Sequence, residues 1–262
     1  MRERAGVTVA EAAARLDQPP SLMLKLESAT AALRRGQAVE LLKLYGTAGA
    51  EEAALLRHLE ELRPRNWWYP FGDLATGDVE TLLILEGESD RVRTHQSSLV
   101  PGLLQTERYA WELMQSVGYV PLETIEHRVR LRMARQRVLS ADDGPELRVV
   151  LDEAALCKIV GNGAVMREQY ARLLDVTGDG RADVRIVPFA AGPHRATGHA
   201  FHLFESERSA PAAVQIELLD KTCFAEDAAE MATYVKAFAE AEARALSPDR
   251  SREFLRKLAR QC

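Results

Sequence analysis

Cysteine is scarce in this chain, with only Cys157, Cys223 and Cys262, scattered and odd in number. No CxxC pair occurs, so neither a zinc knuckle nor a disulfide framework is expected. Long apolar runs are missing as well: no stretch approaches the roughly 20 residues that span a bilayer. The opening MRERAGVTVAEAAARL carries charges throughout and lacks the apolar core of a secretory signal. A cytoplasmic protein with no membrane association is expected. There is no GxSxG, P-loop, GxGxxG or HExxH, which leaves no cofactor and no metal to predict from motifs. Internal repeats and low-complexity linkers are absent too. The net charge is −5, which gives no general attraction to nucleic acid.

What is present describes an ordinary globular chain. Apolar residues make up 47% and charged residues 28%, enough core-forming material to exclude disorder. At 262 residues the chain accommodates a small domain beside a larger one. Charge is unevenly spread between them. The first 46 residues hold seven basic and five acidic side chains, leaving −7 on the remainder. That asymmetry permits the N-terminal part to approach DNA without demonstrating that it does.

The local signals at the N-terminus are helical. In TVAEAAARL, Thr8 stands as N-cap with Glu11 three residues on, the pattern of a capping box. Pro19 and Pro20 break the chain after this helix. A second short helix follows in SLMLKLES, then a third in GQAVELLKLYG, with Gly46 as its C-cap. A fourth, AEEAALLRHLEEL, ends before Pro64. Short helices joined by tight turns make a helix-turn-helix domain, here 1–62. The turn-rich, aromatic stretch RPRNWWYPFGDLATGDV (63–79) marks the junction.

The remainder, 63–262, reads as α+β with a mixed sheet. Helices are predicted at 105–117 and 123–139, the latter spacing Ile125, Val129 and Met133 at helical intervals. LRVVLDE (147–153) and DVRIVPF (183–189) read as buried strands separated by a helix around MREQYARLLDV, a β-α-β unit. HAFHLFE (199–205) and AAVQIEL (212–218) suggest a hairpin. Two helices close the chain. The last begins at SPDRSREFL, with Ser247 as N-cap, Pro248 at the first helical position and Asp249 in the first turn.

Several blocks resemble the signatures of one known family. They are VPGLLQTERYA (100–110), HRVRLRMARQRVL (127–139), VVLDEAAL (149–156), VMREQYARLL (165–174), VRIVPFAAGPH (184–194) and ALSPDRSREFLR (245–256). In this order they are similar to the actinobacterial regulators that join an Xre-type helix-turn-helix to a C-terminal DUF5753 domain, some of them antitoxin-like and paired with a small neighbouring protein. The resemblance implies transcriptional control, with the larger domain sensing a small-molecule ligand or that partner protein, and a homodimer reading paired half-sites. It also exposes a departure. Such domains usually open their second helix with Thr-Gln, whereas Thr8 here is followed by Val9; glycine is usual in the turn, where Asp17 stands. Pro19 replaces the usual serine cap, and Leu22 and Leu24 fall where small polar residues would face DNA. Only five residues precede Gly6, so the first helix has little chain to form from. Ser21 and Lys25 remain for base edges or phosphates, and Arg4, Arg34 and Arg35 for the backbone. The DNA-reading helix is degenerate, and loss of DNA binding is one expected outcome.

For the larger domain, the candidate ligand-binding residues are Trp67, Trp68, Arg135, Glu153 and His194. Glu153 follows a buried strand directly and would look into a cleft, with Arg132, Arg135 and Gln136 as partners on a helix. The simpler alternative is an Arg–Glu pair locking helix to sheet. His194 lies in the turn-rich AAGPHRATG loop, a pocket rim or merely exposed surface. The tryptophans could line an apolar pocket, although the family's own Trp-Trp at this place implies that they seal the junction. His199 and His202 sit three apart on a predicted strand, which disfavours a shared metal. Two alternatives to the sensor stay open. One is a regulator fold reused in natural-product biosynthesis to bind or cyclise an intermediate by shape and desolvation alone. The other is an antitoxin-like protein-interaction module.

Overall fold

The computed structural model describes residues 1–16, 18–27, 35–61, 67–118, 121–140, 144–206, 213–219 and 221–262; of Lys25 and Arg35 it describes the backbone alone. It divides into two compact units, Met1–Pro70 and Phe71–Cys262.

The first unit is wholly helical, with α1 (Val9–Arg15), α2 (Pro20–Glu27), α3 (Arg35–Leu44) and α4 (Ala50–Glu61). Its entry is set by the capping box: Thr8 Oγ1 accepts from the Glu11 N–H at 3.2 Å, and Glu11 returns a carboxylate to the Thr8 N–H at 2.7 Å. Only a single 3-10 turn, Glu3–Ala5, precedes it, closed by Gly6 at φ +69°. A small core of Ala12, Ala13, Met23 and Leu41 joins α1, α2 and α3.

The second unit is α+β. Six strands run β1 (Arg91–Gln96), β2 (Glu146–Asp152), β3 (Ala182–Val187), β4 (Phe201–Glu205), β5 (Ala213–Glu217) and β6 (Thr222–Ala225). They form one sheet of order β3-β2-β1-β4-β5-β6. β3, β2 and β1 are mutually parallel, and β4, β5 and β6 add on antiparallel. The helices are α5 (Asp78–Glu88), α6 (Glu107–Val117), α7 (Leu122–Arg135), α8 (Glu153–Cys157), α9 (Gly163–Gly178), α10 (Ala228–Arg244) and α11 (Pro248–Gln261). The β-α-β unit predicted around 147–189 is present as β2, α8–α9 and β3, and the hairpin strands pair as β4 and β5; the turn between them lies outside the described residues.

Strand alternation sorts the sheet's two faces. Val92, Val149, Leu151, Val184, Ile186 and Phe204 belong to one core with α9 and α11. Val150, Val187, Phe201, Leu203 and Val214 belong to another with Ala237, Phe238 and Ala241 of α10. β1 has no counterpart among the predicted strands. RVRTHQ shows no apolar alternation because Arg91 and Arg93 occupy one face, where Glu146 and Glu205 neutralise them at 2.9 and 2.6 Å. The consequence is that the central strand of the sheet, paired on both sides, delivers His95 at its C-terminal end.

Candidate functional site

In the first unit, α2 carries Ser21 and Lys25, two of the residues expected to meet DNA. Ser21 and Arg4 are exposed, Met23 turns into the core, and Leu24 is 57% exposed, an apolar side chain on the outward surface of that helix. Lys25 and Arg35 lie on α2 and α3, and Arg34 falls outside the described residues. Other cations of this unit are engaged internally: Arg2 is bound to Glu27, and both Arg15 and Lys43 to Glu40. Trp67 and Trp68 stack edge-on with centroids 5.8 Å apart, and Trp68 is buried.

In the second unit a cavity of about 490 Å³ opens between α5, α6, α7 and the β5–β6 edge. Leu82, Leu83, Met114 and Leu131 give it an apolar floor, while Arg128, Arg132, Arg135 and Gln215, with the carboxylates of Asp78 and Glu217, supply polarity. Behind it, Arg135 Nε lies 2.8 Å from Glu86, a carboxyl almost wholly buried. Burial raises the Glu86 pKa and the adjacent guanidinium opposes that rise. Gly102 makes room for this pair, since a Cβ there would come within 3.2 Å of Arg135 Nη2. Arg132 is different. Its Nη1 donates to the neutral amide oxygen of Gln105 at 2.6 Å, and among the described residues it contacts no carboxylate. Burial, with Arg135 adding repulsion, pulls its guanidinium down to about 10 against the longer-range attraction of Glu217 and Glu86, still charged at neutral pH. Gln215 is buried with its Oε1 unpartnered, and opposite it on β4 the buried His202 has an unpartnered Nδ1. Burial, reinforced by Arg135, lowers the His202 pKa to about 3.

The segment beside the cavity is held by amides. Gln105 donates to Val100 O, Gln136 to the carbonyls of Gly102 and Gln105, and Gln169 bridges Leu104 O and the Thr106 N–H. This network explains why a block such as VPGLLQT exists: its glutamine positions Arg132.

On the opposite face, at the C-terminal ends of the parallel strands, His95 (β1), Asp152 (β2) and His194 (the loop after β3) converge. His95 Nε2 and His194 Nε2 lie 3.3 and 2.9 Å from Asp152 Oδ1. Both histidines are buried, and Asp152 is half-buried. Burial works to raise the Asp152 pKa, yet His95 and then His194 hold it below the usual aspartate value. Among the described residues this is the one grouping of three metal-ligating side chains, with donor atoms within 4.8 Å of one another.

The five residues read as one ligand site are therefore separated. Arg135 belongs to the cavity, whereas Glu153 and His194 lie at the strand ends on the other face, and Trp67 and Trp68 belong to the first unit. Glu153 does not pair with Arg132 or Arg135. Its Oε2 accepts the Phe189 N–H at 2.7 Å, because as the first residue of α8 it faces the loop after β3 rather than α7. Arg135 instead found Glu86, so an Arg–Glu pair exists with a different acid. His194 is no exposed rim residue but buried against Asp152. His199 precedes β4 rather than lying on it, and its carbonyl accepts from His95 Nδ1 at 2.8 Å. No metal was expected from sequence motifs; His95, Asp152 and His194, which no short-range spacing joins in sequence, are a grouping that motifs do not reveal.

A family model described as Domain of unknown function (DUF5753) matches residues 79–257. Another, described as Helix-turn-helix domain, matches residues 1–55. No curated protein and no solved structure matches the chain.

Proposed function

Because the chain belongs to the DUF5753 family and carries a helix-turn-helix domain ahead of that block, we propose that it is a ligand-responsive regulator. Its larger unit takes up a small molecule with an apolar body and one anionic end. The observation that carries this reading is Arg132: a half-buried cation at a cavity wall, hydrogen-bonded to an amide and in direct contact with no carboxylate among the described residues, with Glu217 and Glu86 acting on it only at longer range. Desolvating a charge without a directly bonded counter-ion is costly, and an anionic ligand end supplies one. The leucines and Met114 match an apolar body, and the unpartnered Gln215 Oε1 offers an acceptor. No helix among the described residues is long and apolar enough to cross a membrane, and we place the protein's action in the cytoplasm, as a homodimer on DNA. DNA contact runs through Ser21, Lys25, Arg4, Arg34 and Arg35, weighted toward phosphates because Leu24 displaces a base-reading donor.

Thermal-shift titration of the full chain with octanoate and with octanol tests the cavity reading. At about a hundredfold excess over Kd, binding stabilises by roughly 2.7 kcal/mol, a rise in Tm of several degrees for a unit of this size. Octanoate is expected to produce it, octanol to produce much less, and Arg132→Gln to abolish the difference. Equal shifts from both compounds would remove the anionic-ligand reading.

A further inference from the structure

We propose that His95, Asp152 and His194 form a binding site for a divalent transition-metal ion of the zinc type, independent of the cavity and of the DNA reading. Three elements distant in sequence bring the donors together: the end of β1, the end of β2 and the loop after β3. Imidazole nitrogen and carboxylate oxygen are the donor set that zinc accepts, and three such protein ligands leave a fourth position for water or a ligand.

The hydrogen bonds fix what each ring presents. His199 O is an acceptor, so His95 Nδ1 carries the proton that it receives at 2.8 Å. In the neutral ring, Nε2 is then a lone pair facing Asp152 Oδ1 at 3.3 Å. A cation between those two atoms would bind both. A metal ion serves both atoms and His194 Nε2 at once. A ring N–H held by a backbone carbonyl is also the usual support of a metal-bound histidine. At His194 no hydrogen bond to Nδ1 fixes the tautomer, which leaves Nε2 available as a ligand.

The spacing suits a metal too. Tetrahedral bonds of roughly 2.0–2.2 Å place neighbouring donors about 3.3 to 3.6 Å apart; the separations from Asp152 Oδ1 are 3.3 and 2.9 Å, so His95 stands at metal spacing and His194 Nε2 has only a few tenths of an ångström to move outward. The loop that carries His194 is pinned before any ion arrives. Glu153 holds the Phe189 N–H, Arg244 donates to Ala191 O at 3.2 Å, and Thr197 Oγ1 accepts from the His194 N–H at 2.8 Å. Among the described residues no lysine or arginine pairs with Asp152, so nothing internal occupies the place of the cation.

The test uses the full chain, stripped with chelator and titrated with Zn²⁺ against a chromophoric competitor, with Mg²⁺ as control. One Zn²⁺ per chain is expected and no competing Mg²⁺ binding. Asp152→Asn and His194→Gln should each weaken Zn²⁺ by more than the 10- to 100-fold typical of losing an outer-shell partner. X-ray absorption of the zinc-loaded wild type gives a reading that does not depend on the variants folding. Two imidazoles and oxygen near 2.0 Å support the site; sulfur at about 2.3 Å would assign the ion to cysteine and overturn it. No Zn²⁺ bound by folded wild type, or undiminished binding in folded variants, overturns it as well.

Discussion

At the scale of single residues, charge without an obvious counterpart organises the larger unit. His202 gives the plainest consequence for pH. Its folded pKa lies at about 3, below the ordinary histidine value, because burial and then Arg135 disfavour the imidazolium. Between those values the unfolded chain binds more protons than the folded one, so stability rises with pH across that window and is lost on acidification. The largest slope from one such group is roughly 1.4 kcal/mol per pH unit. Urea unfolding followed from pH 7 to pH 4 should show His202→Gln losing stability less steeply than wild type; parallel curves would show that His202 does not titrate this way. Glu153 makes a different kind of contribution. Removing its acceptor by Glu153→Ala should cost on the order of 1 kcal/mol, measured by denaturant midpoint, while Glu153→Gln retains part of it. Gly102→Ala should disturb the Arg135–Glu86 pair that its missing Cβ accommodates.

At the scale of elements, what was legible depended on whether local chemistry alone decides the structure. Caps did. Thr8 with Glu11 and Ser247 with Pro248 open α1 and α11 as their side chains dictate, and Thr8→Ala is expected to destabilise the first unit by about 1 kcal/mol, read from its helical signal on heating. The apolar strands β2 and β3 were equally plain, since their branched apolar residues are the buried ones. β1 was not. Its arginines read as surface until Glu146 and Glu205, brought in from neighbouring strands, neutralise them. The sites suffered for the same reason. Arg135 and His194 stood out as singletons, but Glu86, His95 and Asp152, which give them meaning, come from elements distant in sequence and share no motif with them.

 In sequence, Glu86 lies 49 residues from Arg135, and Asp152 lies 57 from His95 and 42 from His194. Contacts at such separations are set by the sheet's order and register, which no local pattern encodes.

At the scale of the whole molecule, a helical unit with a helix-turn-helix match precedes an α+β unit that carries two separate chemical features on opposite faces of one sheet. The division of labour proposed for them is that the first unit meets DNA and the second reports on a ligand. The degenerate α2 bears on the strength and specificity of that contact. Phosphate contacts give affinity that falls steeply with salt, by about one unit of logarithmic slope for each contact, whereas base-edge contacts give sequence preference. Lys25→Ala should therefore lower the salt slope of DNA binding by about 1 and leave the response to octanoate untouched. Arg132→Gln should do the reverse.

The most direct measurement is retention of fragments from the protein's own genomic locus by the purified full chain as salt rises from about 50 to 200 mM. A regulator is expected to hold one fragment in preference to the others, with affinity that falls steeply with salt and weakens in Lys25→Ala. A folded chain that retains no fragment at the lowest salt would contradict the account.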